Sequence, residues 1–126
     1  MKESIIKTRS YLFAVKIIGV YKYLKKVQHE FVLSKQLLRS GTSIGANARE
    51  AQNAESKMDF VHKLGIAQKE CDETMYWLEL SHDTDFLPDD VFKPVYAECK
   101  EILQMIRSAI ITSKQNRSNP SITHNP

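Results

Sequence analysis

The chain has 126 residues and a mass of 14.5 kDa, enough for one domain that buries roughly two thirds of its unfolded surface and too little for two ordinary ones. Apolar residues make up 42% and charged residues 26%, with four Gly and four Pro, a globular mixture too poor in turn formers for many short strands. The net charge of +3 hides an asymmetry: residues 1–49 carry ten Lys/Arg and two acids (+8), residues 50–126 eight Lys/Arg and thirteen acids (−5), so the basic half can meet an acidic partner, or the acidic half of its own or a neighbouring copy.

The N-terminal MKESIIKTRSYLF has no long apolar region followed by a small-residue cleavage site. No run of about 18 uncharged apolar residues occurs anywhere, so a soluble, cytoplasmic protein with no membrane partner is expected. In the first segment Ile6, Ser10, Phe13, Ile17, Val20, Leu24 and Val27 recur at alternating steps of three and four and form one helical stripe. Lys2, Arg9 and Lys16 fall on another face. Lys25 to His29 form a short polar connection to a second segment with its own stripe, Leu33, Leu37, Ser40, Ile44, Asn47 and Ala51.

Within that second segment RSGTSIGANARE places Gly41 and Gly45 four residues apart. A Walker-type phosphate loop would need a Lys after the second glycine, and a dinucleotide fingerprint would need a preceding strand; here no Lys follows and what precedes is the helical FVLSKQLLRS. A helix explains the stretch better. Two interior glycines cost about 1 kcal/mol each relative to Ala, and close approach of a neighbouring helix, from the same bundle or another subunit, offsets that through packing contacts. Lys35, Arg39, Arg49 and Glu50 exclude the lipid-buried version of this G-x-x-x-G spacing.

Ser56 reads as a helix cap, with Asp59 supplying a carboxylate near the positive end of a third helix. Its seam is Phe60, Leu64, Ala67, Cys71, Thr74 and Leu78, and it ends near His82. Pro88-Asp89-Asp90 starts a fourth helix that runs to about Ser113 along Val95, Cys99, Ile102, Ile106 and Ala109, with Pro94 tolerated in about the first turn. The tail from Lys114 to Pro126, rich in Ser, Asn and Pro, is expected to be disordered. The expected fold is all-α, an antiparallel up-down-up-down four-helix bundle over residues 1–113.

Catalytic signatures are sparse. Asp59-x-x-His62 and Glu79-x-x-His82 share the acid-x-x-His spacing of di-iron bundles, but both lie on the third helix twenty residues apart, about 30 Å, so no shared metal site is expected. Cys71 and Cys99 sit on apolar seams without a basic cluster and read as reduced structural thiols. No G-x-S-x-G elbow positions a serine. Neither an enzyme activity nor a cofactor is expected.

Three groups remain. Arg9, Lys16, Lys22, Lys25 and Lys26, extended by Lys35 and Arg39 and interleaved with Tyr21 and Tyr23, form the best candidate for contacting phosphates, against the alternative of a solvated charged face. Asn47 and Glu50 border the apolar stripe near Ile44 and Ala51, where polar groups need partners. Tyr76 and Trp77 are adjacent and point to different faces, so one bundle core cannot easily bury both, and one is expected to pack against another subunit.

The run QLLRSGTSIGANAREAQNAESKMDFVHKLGIAQKECDETMYWLEL resembles the central signature of the bacterial four-helix-bundle family of 23S rRNA intervening sequence proteins, distantly similar to the accessory variability determinants of diversity-generating retroelements. The resemblance is carried by Ser43-Ile-Gly-Ala-Asn47, Glu50-Ala51, Glu55-Ser56, Asp59-Phe60, Lys63-Leu64, Glu70, Tyr76-Trp-Leu-Glu79 and Tyr21-x-Tyr23, and covers roughly residues 5–110. Arg49 departs from the pattern, placing a charge where packing would be expected. The resemblance implies a homo-oligomeric ring, a pentamer, no known catalytic activity, and nucleic-acid association for some members. It supports Asn47 and Glu50 in an interface or buried polar network, and these join Gly41, Gly45, Tyr76 and Trp77, read from packing, as the expected oligomer-interface or buried-network residues. The expectation is therefore a non-enzymatic bundle that binds RNA or DNA through its basic N-terminal face without strong sequence preference; the alternative is a scaffold for an acidic protein.

Overall fold

The computed structural model describes residues 2–118, with side chains described over 5–116. Four helices follow one another, α1 (Lys2–Lys26), α2 (Leu33–Gln52), α3 (Lys57–Asp83) and α4 (Asp89–Ser118), and no strand occurs among the described residues. Each helix packs against its two neighbours around a square: α1 on α2 and α4, α3 on α2 and α4. Cross-helix partners show the pairs to be antiparallel, because numbers fall on one helix as they rise on the other. Arg39 reaches Glu73 while Glu50 reaches Lys63 between α2 and α3. Arg9 reaches Glu101 while Lys16 reaches Glu98 between α1 and α4.

The stripes read from the sequence form the core. Phe13, Ile17, Leu24, Leu37, Ile44, Leu64, Leu78, Ile102 and Ile106 are essentially inaccessible to solvent. Val27 is an exception: α1 ends at Lys26, and Val27 turns out to solvent with 61% of its surface exposed. Between α2 and α3 the buried Thr74 hydroxyl donates to the Glu70 carbonyl (2.7 Å) and meets Ser40 Oγ at 2.9 Å, so two core hydroxyls satisfy one another. Cys99 Sγ lies 3.6 Å from the Cys71 carbonyl; both thiols are buried, and the hydrogen bond with Cys99, then burial, holds the Cys71 thiol well above its ordinary pKa. A group so raised stays protonated and unreactive.

The helix ends show local causes. Ser56 caps α3 by accepting from Asp59 N–H at 3.0 Å, as its position predicts. The start of α2 has no side-chain cap at Val32; the carboxylate of Glu30, itself 8% exposed, instead accepts from the N–H groups of Val32, Leu33 and Ser34 at 3.1, 2.8 and 2.7 Å. Pro94 falls in the second turn of α4 rather than the first, and its missing N–H is tolerated on an exposed face. α4 also runs five residues past the expected end at Ser113, to Ser118, because Lys, Gln and Arg sustain a helix and no breaker intervenes before Pro120. The part of the expected disordered tail from Asn119 to Pro126 lies outside the described residues.

Candidate nucleic-acid interface

Between Glu3 and Glu50 the sequence contains one acid, Glu30, and its buried carboxylate is occupied with the backbone of α2. The α1–α2 half is therefore strongly cationic, and the disposition of its cations determines what it can attract. The structure divides the seven basic residues expected to contact phosphate. Arg9 pairs with Glu101 (2.7 Å), Lys16 with Glu98 (2.5 Å), and Arg39 with Glu73, with Glu70 at 3.5 Å. These three face α4 or α3 and are neutralised within the chain. Lys22, Lys26 and Lys35 are exposed and have no carboxylate partner among the described residues. Lys25 has none either; its ammonium sits over the Tyr21 ring, 4.9 Å from the centroid.

Two cations that the sequence reading left out of the patch, Lys7 and Arg49, also lack a carboxylate partner among the described residues. A signal for Arg49 existed in its departure from the family pattern. What hid both was the face they occupy: they lie across the α1–α2 pair from one another, on a surface that the stripe of Arg9 and Lys16 does not include. A cleft of about 350 Å³ opens between them.

The residues expected at an interface or in a buried network take several positions. Gly41 and Gly45 face α1 of the same chain: a Cβ on Gly41 would lie 2.8 Å from both Cγ atoms of Ile17, and one on Gly45 would lie 3.2 Å from the Ser10 carbonyl oxygen. They bring α2 against α1 inside one bundle. Asn47 is half-buried and donates to the Ser43 carbonyl one turn back (2.9 Å). Glu50 is exposed rather than part of a buried network, because it reaches outward to Lys63 at 2.8 Å. Trp77 is half-buried against the core and donates to Glu73 (3.0 Å), whereas Tyr76 is 56% exposed and meets Trp77 edge-on.

The outer face of α1 is unusual for a helix packed on two neighbours. Ile5, Leu12, Val15 and Ile18 are each at least 40% exposed, and a Cβ on Gly19 would meet nothing. Ile5, Thr8, Leu12, Val15, Gly19, Lys22 and Lys26 follow steps of three and four, so this apolar face runs directly into the lysines at the end of α1.

Elsewhere, the two acid-x-x-His pairs do not converge. Glu79 accepts from Tyr96 (2.6 Å), holding that phenol at a pKa of about 12, while His82 bonds Asp89 (2.6 Å). Among the described residues no three His, Cys, Asp or Glu side chains are grouped to hold a metal, and no helix is long and apolar enough to cross a membrane.

The sequence matches the family model described as 23S rRNA-intervening sequence protein over residues 2–108. The chain is also similar to a crystal structure of a protein from Bacteroides thetaiotaomicron VPI-5482, described as of unknown function and of the S23 ribosomal protein family. Identity to it is 48%, with a TM-score of 0.85, over 87% of this chain and 98% of that one. No curated protein matches. A family model spanning most of four helices, together with a fold shared at nearly half identity, places this chain in the 23S rRNA-intervening sequence protein family.

Proposed function

We propose that this chain is a cytoplasmic, non-enzymatic bundle that self-associates into a ring and binds RNA or DNA through its basic N-terminal half without strong sequence preference. One observation carries the reading. Lys7, Lys22, Lys25, Lys26, Lys35 and Arg49 all lie in the α1–α2 half without a carboxylate partner among the described residues, and the one acid between Glu3 and Glu50 is buried. Cations whose charge is not answered within the fold attract a polyanion, and phosphate contacts supply affinity rather than base discrimination. The rRNA in the family's description agrees with this direction. Self-association is supported by the apolar outer face of α1, and five subunits is the number the resemblance implies.

The apolar face of α1 also favours a second reading, a scaffold that docks an acidic protein, since an apolar face beside lysines suits a protein surface. One experiment separates the two. Nuclease-treated protein is titrated with labelled single-stranded and duplex RNA and DNA between roughly 50 and 200 mM salt, where phosphate-driven binding falls log-linearly. Charge reversal at Lys22, Lys26 and Lys35 together is expected to weaken binding at least tenfold and flatten the salt dependence without lowering helix content. Unchanged affinity would remove these lysines from the site. No binding by the intact protein at low salt, with a nuclease-resistant acidic protein recovered at fixed stoichiometry, would establish the scaffold.

A further inference from the structure

We infer that the groove between α1 and α2 holds an unpaired stretch of nucleic acid, with Tyr11 stacking on a base and Lys7 and Arg49 on the flanking phosphates. The inference rests on the nucleic-acid reading above and specifies where and in what form the strand binds.

The groove is a product of the helix packing. Gly45 brings the α2 backbone so close to α1 that a Cβ there would lie 3.2 Å from the Ser10 carbonyl, and beside it Ala14, Thr42 and Ala46 are too small to fill the valley between the helices. The resulting cleft of about 350 Å³ is within the range of sites for small organic groups. Lys7 and Arg49 stand on opposite walls without carboxylate partners among the described residues. The acid at the rim, Glu50, is engaged by Lys63 at 2.8 Å and so does not cancel either of them. Tyr11, also in the lining, is 58% exposed. An aromatic face held at the mouth of a cationic groove suits a partner with both phosphates and π-faces.

The helical register extends the site. From Lys7 and Tyr11 the same face of α1 continues through Ala14, Ile18 and Tyr21 to Lys25, and from Arg49 the face of α2 continues through Thr42 and Leu38 to Lys35. Cations thus stand at both ends of a track roughly 27 Å long, the rise of the eighteen residues from Lys7 to Lys25. That length fits a polyanion rather than a mononucleotide. The acids of the α3–α4 turn, Asp83, Asp85, Asp89 and Asp90, lie on the opposite edge of the square, away from the track. A duplex has its bases stacked inside and cannot offer one to Tyr11, and an acidic peptide satisfies the cations without needing the ring. The geometry therefore selects the single strand.

The test uses the full chain with single-stranded RNA, single-stranded DNA of the same sequence and the DNA duplex, each carrying a 2-aminopurine whose fluorescence reports stacking. Tyr11→Ala is expected to weaken single-strand binding roughly tenfold, lose the fluorescence change and leave duplex binding as it was, while Tyr11→Phe retains both. Replacing Lys7 and Arg49 by Gln is expected to lower the log–log salt slope for single strands by about 0.7 per cation removed. The tighter of the RNA and DNA arms identifies the source of the strand. Tyr11→Ala binding like wild type, while the Lys22, Lys26 and Lys35 variant is impaired, would overturn the groove and leave the nucleic-acid reading standing. Failure of the unmodified protein to bind any of the three would overturn both. Tyr11 and Arg49 are exposed and Lys7 is half-buried, and melting followed by circular dichroism separates lost contacts from lost fold.

Discussion

Gly41 and Gly45 each cost α2 about 1 kcal/mol of intrinsic helix stability relative to Ala, and close contact with α1 offsets that cost. The two differ in what they meet. At Gly41 a new methyl would press within 2.8 Å on both γ-carbons of Ile17, whose own Cβ at 3.2 Å leaves the branched side chain no room to swing away. Gly41→Ala is therefore expected to lower the unfolding free energy by about 1–2 kcal/mol despite its better helix propensity, as overpacking outweighs the gain. Urea denaturation checks this, and pairing it with Ile17→Ala should give a non-additive cycle, because the added methyl fills part of the cavity the truncation opens. A stabilised Gly41→Ala would mean that the helices separate at little cost. The sequence offered the helix-contact reading but left open whether the contact lay within or between chains. A G-x-x-x-G spacing specifies how close a neighbour comes, whereas which neighbour comes depends on the register of α1. Glu30 was illegible for a related reason: it lies two residues ahead of Val32, outside the usual cap position, and only the left-handed backbone at His29 (φ 54°) turns its carboxylate toward the α2 N–H groups.

At the scale of elements, all four helices and their buried stripes were legible because the apolar spacing of three and four is set by helix geometry alone. The ends were less so. Val27 extends its stripe in number but sits past the last turn, and α4 outruns Ser113 because composition in a tail says little about helix continuity. The α3–α4 hairpin has a fastening that spacing alone does not reveal: His82, at the end of α3, bonds Asp89 at the start of α4 and stacks on Phe92 with ring centroids 4.1 Å apart. The bond to Asp89, reinforced by Asp83, raises the His82 pKa above 6.5, and the same bond, aided by Lys93, lowers that of Asp89 below 3.8. A raised folded pKa means the His82 contribution is complete below the unfolded value and is lost as pH rises through the folded one. For Asp89 the contribution is complete above 3.8 and is lost as pH falls through its depressed value. Melting temperature is thus expected to fall from a plateau as pH climbs past the His82 pKa. His82→Gln should flatten that alkaline limb, and Asp89→Asn should weaken both limbs. A pH profile identical in wild type and His82→Gln would show the fastening to be energetically idle.

At the scale of the molecule, the charge asymmetry is partly resolved inside the bundle: α1 gives Arg9 and Lys16 to α4, α2 gives Arg39 to α3, and α3 returns Lys63 to Glu50. Exposed pairs of this kind contribute little stability each, but they decide which cations remain available for a partner. Sequence counting could weigh self-neutralisation against ligand binding for the whole half; it could not say that Lys7 and Arg49 stay available while Arg9, Lys16 and Arg39 do not, since that depends on which helix each face meets. The same topology leaves α1 apolar on two sides, one in the core and one on Ile5, Leu12 and Val15. A helix apolar on both faces calls for a second cover, and the proposed self-association supplies one that ends beside Lys22 and Lys26. Leu12→Gln with Val15→Gln, which removes the apolar face without adding charge beside the groove, is expected to reduce the mass measured by light scattering to that of a single 14.5 kDa chain while leaving helix content intact, because both positions are already exposed in the isolated bundle. The same variant should bind a long single strand roughly a hundredfold more weakly, since linked sites gain avidity without new contacts, yet bind a strand short enough to occupy one groove as wild type does. Retention of the oligomer in this variant would move the interface to another face, with the exposed Tyr76 as the next place to look.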